Sequence, residues 1–195
     1  MEASPQKIRW TYAEFARLPD SGTTRYEIIA DELVVTPAPS LHHQRIAARL
    51  TAWLFTFIER EALGEVFPAP TDVLFGEGDY MEPDLVFVRR ERGGQLLSDR
   101  GVEGAPDLVV EIVSPASEAR DRGIKLDRYR LFGVGEYWIV DPEREAVEVW
   151  ALGDGATEPV RYAGDDELRW TPSGASGALV IPLPALFERP SPSRG

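Results

Sequence analysis

Two apolar runs constrain what this chain can fold into more than anything else in it: DLVFV (84–88) and DLVVEIV (107–113). Both are β-branched, nearly continuous and bounded by turn residues, a pattern that belongs to strands of a sheet covered on both faces. Each begins with an aspartate after a proline, and the second carries Glu111 between apolar neighbours. An ionised carboxylate costs several kcal/mol to bury unless it is paired, hydrogen-bonded or bound to a metal. A buried ion pair with Arg or Lys accounts for one such acid. Two of them, Asp84 and Glu111, favour a site for a divalent cation, because hard oxygen ligands suit Mg²⁺.

The surrounding segments supply both covers. RYEII (25–29) and ELVVT (32–36) predict an N-terminal β-hairpin turning at Ala30-Asp31. Thr11 to Glu14 has capping-box spacing and opens a short helix to about Leu18, followed by a loop over 19–22. Ser40 caps a long helix from about Leu41 to Leu63, ended by Gly64, with Ile46, Leu50, Trp53, Leu54, Phe57 and Ile58 inward. Short strands follow at 65–67 and 71–75, and the charged, Gly-rich stretch 89–106 reads as a mobile surface segment with room for a helical turn. A second helix spans 117–133 and closes at Gly133. Strands over 136–141 and 146–152 are joined by a turn at Asp141 to Arg144, and Trp138 and Trp150 are core by default. Beyond lie short strands around 159–162 and 167–171, a helical turn near Leu183 to Phe187 and a frayed end from 189 to 195. The chain reads as one α/β domain over 1–195, with a core at about 11–152 and a β-rich extension from 153.

The chain has 195 residues and no cysteine, which excludes disulfides and thiolate metal sites and suits a reducing cytoplasm. The start lacks the basic flank and apolar run of a signal peptide, and no stretch is long enough to span a bilayer. Net charge is −12, from 33 acidic and 21 basic residues, which argues against broad, sequence-independent binding to nucleic acid.

On the second helix Lys125 and Tyr129 stand at i and i+4, hence on one face. Leu126 and Phe132 are placed to face the core. A lysine beside a metal-bound water orients that water or steadies the charge of a phosphoryl transition state. Taken alone, Lys125 reads as a solvated surface lysine more readily than as a site residue.

The words RYEIIADELVVTPAPSLHHQRI, EPDLVFV, GAPDLVVEIVSPASEARDRGIKLDRYRLFGVGEYWIVDPE and AVEVW follow one another from Thr11 to Leu152. In this succession the chain resembles the Uma-type restriction endonuclease family of the PD-(D/E)XK nuclease superfamily. The resemblance implies a restriction endonuclease-like fold: a central mixed sheet flanked by helices, with the N-terminal hairpin. It implies a Mg²⁺ site, with Mn²⁺ as an alternative ion, built from Asp84, Glu111 and the carbonyl of Ile112. The superfamily commonly places its lysine two residues after the acid, where this chain has Val113. The Uma-type pattern takes the lysine from the following helix, which points to Lys125 with Tyr129 beside it.

Glu27 matches a recurrent acidic position, and His43 and Gln44 a polar pair, with Gln44 the favoured member and His42 left to the surface. The hairpin turn departs from the Asp-Gly common in such proteins, so another turn geometry is expected. Arg120, Arg122 and Arg128 are candidates for phosphate contacts or for a solvated face. Asp107 is expected to cap the turn into its strand.

The resulting expectation is a Mg²⁺-dependent endonuclease acting on DNA as a homodimer. Two alternatives stand beside it: a non-catalytic interaction protein keeping the fold, and a metal-dependent hydrolase of a non-polymeric phosphate ester.

Overall fold

The structure is a computed structural model, described over residues 9–19 and 24–189. The expected loop at 20–22, the chain start and the frayed end beyond 189 lie outside the described residues. In chain order the elements begin with α1 (Tyr12–Phe15), β1 (Thr24–Ile29), β2 (Glu32–Pro37), α2 (Leu41–Glu61), β3 (Gly64–Pro68), β4 (Val73–Gly76) and β5 (Asp79–Met81). They continue with β6 (Leu85–Arg89), α3 (Arg90–Leu96), β7 (Leu97–Ser98), β8 (Gly101–Glu103), β9 (Leu108–Ile112) and α4 (Glu118–Arg120). A π-helical turn (Asp121–Lys125) runs from α4 into α5 (Leu126–Phe132). Then come β10 (Glu136–Asp141), β11 (Ala146–Trp150), β12 (Val160–Ala163), β13 (Glu167–Trp170), β14 (Leu179–Pro182) and α6 (Leu183–Phe187).

The central sheet has the order β12-β11-β10-β9-β6-β3 and is mixed, with β9 and β10 parallel and the other pairs antiparallel. Both apolar runs lie in its middle, which explains their continuous hydrophobicity. Alternate residues of these strands point to opposite faces. Leu85, Phe87, Leu108, Val110 and Ile112 pack with the inward stripe of α2. Val86, Val88 and Val109 point the other way, into a cluster with Leu126 and Tyr129 of α5 and Val73, Met81 and Val102 of a second sheet.

That second sheet, β2-β1-β5-β4-β8-β7, extends the predicted hairpin to six strands. Stretch 89–106 is therefore no loose surface loop. It forms α3, β7 and β8, and Asp107 holds its base by accepting from the Arg89 amide at 2.8 Å and from both the Arg89 and Arg92 guanidinium groups.

The C-terminal extension belongs to the main core. Leu168, Trp170, Ile181, Leu183, Leu186 and Phe187 pack with Ile46, Leu50 and Phe57. Trp138 is fully buried, whereas Trp150 is half-buried beneath the Arg130 guanidinium. Two local expectations are corrected. The long helix closes at Ala62, which is left-handed at φ 55°, while Gly64 opens β3, where a Cβ would lie 2.1 Å from the Val88 carbonyl oxygen. The hairpin turn keeps positive φ at Ala30 and Asp31, as a type I′ turn requires. Its neighbours impose this: Asp79 accepts from the Ala30 amide and the Gly78 carbonyl from the Asp31 amide.

Candidate functional site

The β6–β9 register pairs Leu85 with Val110, so one step further sets Asp84 opposite Glu111 at the strand ends. Both side chains are buried. Glu111 replaces an apolar residue on the face that packs against α5 and the second sheet, and three elements converge on it there. Lys125, at the end of the π-turn, donates from Nζ to Glu111 Oε1 at 2.7 Å and stands 2.7 Å from Glu27 Oε1 of β1. Tyr129 donates to Glu111 Oε1 at 2.8 Å. Glu27, at 1% exposure, also accepts from the Glu82 amide at 3.0 Å. An α-helix would drift by about 80° over the eight residues from Asp121 to Tyr129. The wider π-turn offsets that drift, and Asp121, Lys125 and Tyr129 are all buried.

Asp84 is held differently. Its Oδ2 accepts from the Ile112 amide at 2.7 Å, and its Oδ1 meets His43 Nε2 and Arg25 NH1, each at 3.1 Å. Ser40 caps α2 by accepting from the His43 amide, which fixes the first turn of the helix over the end of β6. Arg25 also pairs with Glu82 at 2.6 Å.

Electrostatics separates the two acids. Burial raises the Asp84 carboxyl, but the hydrogen bond and charge of His43, the charge of Arg25 and the Ile112 amide outweigh it and hold Asp84 below its ordinary range. Burial pushes Glu111 up to about 8; Lys125 opposes this, while Asp121, Asp84 and Glu27 add to it. Burial also raises Asp121. Lys125 stays cationic because the charges of Glu111, Glu27 and Asp121 outweigh its desolvation. Four acids, Asp84, Glu111, Glu27 and Asp121, are thus gathered around two cations, Lys125 and Arg25.

This surplus, on hard oxygen donors, fits a divalent cation. Among the described residues no group of three or more His, Cys, Asp or Glu side chains is arranged to hold a metal ion. A Mg²⁺ ion needs no such group, since it keeps several waters and binds through one or two carboxylates.

Of the residues singled out in the sequence, Asp84, Glu111, Lys125, Tyr129 and Glu27 come together. Ile112 joins them through its amide. Gln44 does not reach Asp84; it lines a neighbouring cavity, and His43 makes the contact. His42 is half-buried rather than a surface residue, with both ring nitrogens buried. The three arginines of the second helix are engaged within the fold. Arg122 pairs with Glu118, Asp141 and Glu148, Arg128 with Asp79, and Arg120 lies 3.5 Å from Asp121. Arg25, Glu82 and Asp121 escaped the sequence reading. Period-two alternation from Glu27 was the available signal for Arg25, which shares its side of β1.

Two cavities meet at Arg25, and Asp84 borders the first of them. One of about 580 Å³ runs along α2, bordered by Arg25, His43, Gln44 and Asp84. The other, about 1020 Å³, opens between β3 and the β7–β8 hairpin and shares Arg25 and Glu82 with the first.

Comparison with known proteins places the fold and the family. A solved structure described as a putative nuclease belonging to DUF820, from Anabaena variabilis ATCC 29413, superposes with a TM-score of 0.74 at 22% identity. The match covers 91% of this chain and 97% of that one, and it shows a shared restriction endonuclease-like fold. No curated protein matches the chain. The family model named Uma2, described as "Putative restriction endonuclease", matches residues 12–179, from α1 to the start of β14. The chain belongs to the Uma2 family of restriction endonuclease-like proteins.

Proposed function

We propose that this protein is a Mg²⁺-dependent endonuclease that hydrolyses phosphodiester bonds in DNA, with Mn²⁺ as an alternative ion. The observation that carries the reading is the convergence of Asp84 and Glu111 across two central strands, with Lys125 locked beside Glu111. Asp84, Glu111 and the Ile112 carbonyl would hold the ion. Bound there, Mg²⁺ supplies charge neutralisation at the phosphate and a lowered pKa for water.

The chain's own residues do the rest. Arg25 and His43 flank Asp84 where it borders the α2 cavity, and there they meet the phosphate oxygens of a bound strand. Lys125 keeps a fixed positive charge against Glu111 and orients the water that attacks. Glu27 and Tyr129 hold Lys125 and Glu111 in place.

One observation favours a second reading, a non-catalytic interaction protein. Asp84 Oδ1 is already engaged by Arg25 and His43, an arrangement that also satisfies the acid without a metal. Plasmid and single-stranded DNA incubated with Mg²⁺ or Mn²⁺ decide between the two. The nuclease reading expects cleavage by wild type, lowered about 100-fold or more in Asp84→Ala and Lys125→Ala. It also expects calorimetric binding of Mn²⁺ that Asp84→Ala abolishes. Wild type no faster than the variants on every substrate leaves the interaction protein.

A further inference from the structure

We propose that the cavity along α2 seats an unpaired nucleobase, so that the strand offered to Asp84 is single-stranded or locally opened DNA. The inference rests on the nuclease reading above and names its substrate class.

The cavity is asymmetric. Its α2 wall is built of small residues, Ala47, Ala48, Thr51 and Ala52, and ends at Phe55, which is 55% exposed. Pro68 and Pro70 form part of the opposite wall. Polar groups gather at the end nearest Asp84: Arg25, which pairs with Glu82 there, His43 and Gln44. At about 580 Å³ the space exceeds what one planar base needs. An apolar wall with an exposed aromatic at one end and Arg25 and His43 at the other is complementary to a nucleotide. The base lies against alanine, proline and Phe55, while its phosphate meets Arg25 and His43. Gln44 carries both a donor and an acceptor for the base edge.

Charge selects the unpaired strand over the duplex. Duplex binding draws mainly on cations that neutralise phosphates. Here net charge is −12, and Arg122, Arg128 and Arg144 are turned onto Glu118, Asp79 and Asp141. The larger cavity is lined by Glu65, Asp72, Glu82 and Asp99 against Arg25 and Arg100, so it repels a second backbone. Stacking on an aromatic is the source of affinity that needs no basic surface.

The test is fluorescence anisotropy with a labelled oligonucleotide of about 12 nucleotides, within the span of a small single-strand site. It is measured single-stranded, as a duplex and with abasic positions, in EDTA and again in Ca²⁺. Wild type should bind the single strand at least tenfold tighter than the duplex. Phe55→Ala and the cavity-filling Ala48→Phe should each weaken single-strand binding roughly tenfold and leave duplex binding unchanged. The abasic strand should bind wild type as weakly as the intact strand binds Phe55→Ala. Phe55 is exposed, so its truncation leaves the core intact even if Ala48→Phe disturbs α2.

Equal or tighter duplex binding, no binding of single strands in either buffer, or unchanged binding by Phe55→Ala overturns the proposal. Failure of the nuclease reading looks different. Wild type would then bind single strands through Phe55 yet cleave none, whereas cleavage unaffected by Phe55→Ala refutes the base site alone.

Discussion

Lys125 is fully buried with its Nζ 2.7 Å from one oxygen each of Glu27 and Glu111, and this geometry makes it a structural as well as a chemical residue. Removing one partner from a buried charge network leaves the others uncompensated and costs about 3–5 kcal/mol. Lys125→Met should therefore lower the stability of the metal-free protein by about that amount in urea unfolding. The triple variant Glu27→Gln, Lys125→Met, Glu111→Gln should recover most of it, because it removes the charges together. A Lys125→Met protein as stable as wild type would show that the carboxylates are already protonated or hydrated.

The same residues mark how far the sequence carried. Asp84 and Glu111 were legible because a carboxylate among β-branched residues is conspicuous. Lys125 was legible only through the family pattern, since a lysine on a charged helix has no local signature. His43 over Gln44 was not legible: which of two adjacent residues faces Asp84 depends on the rotation of α2 over the sheet.

At the level of elements, the hairpin turn shows tertiary context overriding local preference. Ala30 and Asp31 hold positive φ without a glycine, and Asp31 Oδ1 is buried with no hydrogen-bond partner among the described residues. A left-handed L-residue costs about 1–2 kcal/mol, which exceeds the entropy a glycine would lose. Asp31→Gly should accordingly stabilise the protein by up to about 1 kcal/mol, read as a raised unfolding midpoint; a lowered midpoint would show that the Asp31 side chain contributes an unrecognised contact.

Stretch 89–106 misled the sequence reading for the complementary reason. Its glycines and charges look loop-like, but Asp107 gathers Arg89 and Arg92 and turns the segment into α3, β7 and β8. Burial raises the Asp107 carboxyl, while the Arg89 amide and the two guanidinium groups outweigh this and hold it below its ordinary value. A carboxylate with a lowered folded pKa stabilises above its unfolded pKa and loses that contribution as pH falls through the folded value. Asp107→Asn should thus be about 1–3 kcal/mol less stable than wild type at pH 7. The gap should close as pH is taken below the ordinary aspartate range. A pH-independent gap would assign the loss to packing instead of charge.

For the molecule as a whole, the unresolved tension lies between an acidic chain and a polyanionic substrate. Composition alone could not settle it, because net charge says nothing of where the arginines point. The structure turns Arg122, Arg128 and Arg144 onto carboxylates elsewhere in the fold, whereas Arg25 and His43, paired with Asp84 itself, border the α2 cavity. Counterion release then gives a quantitative expectation. The logarithm of the binding constant for a single strand falls with the logarithm of salt by about 0.7 per neutralised phosphate. With one or two phosphates met by Arg25 and His43, the slope should be no steeper than about −1.5. Arg25→Ala should flatten it further, as measured by anisotropy titrations across a salt series. A wild-type slope of about −4 or steeper would require several more cations, which a second copy of the chain would have to bring to the site; sedimentation of the complex at each salt concentration would then show that dimer directly.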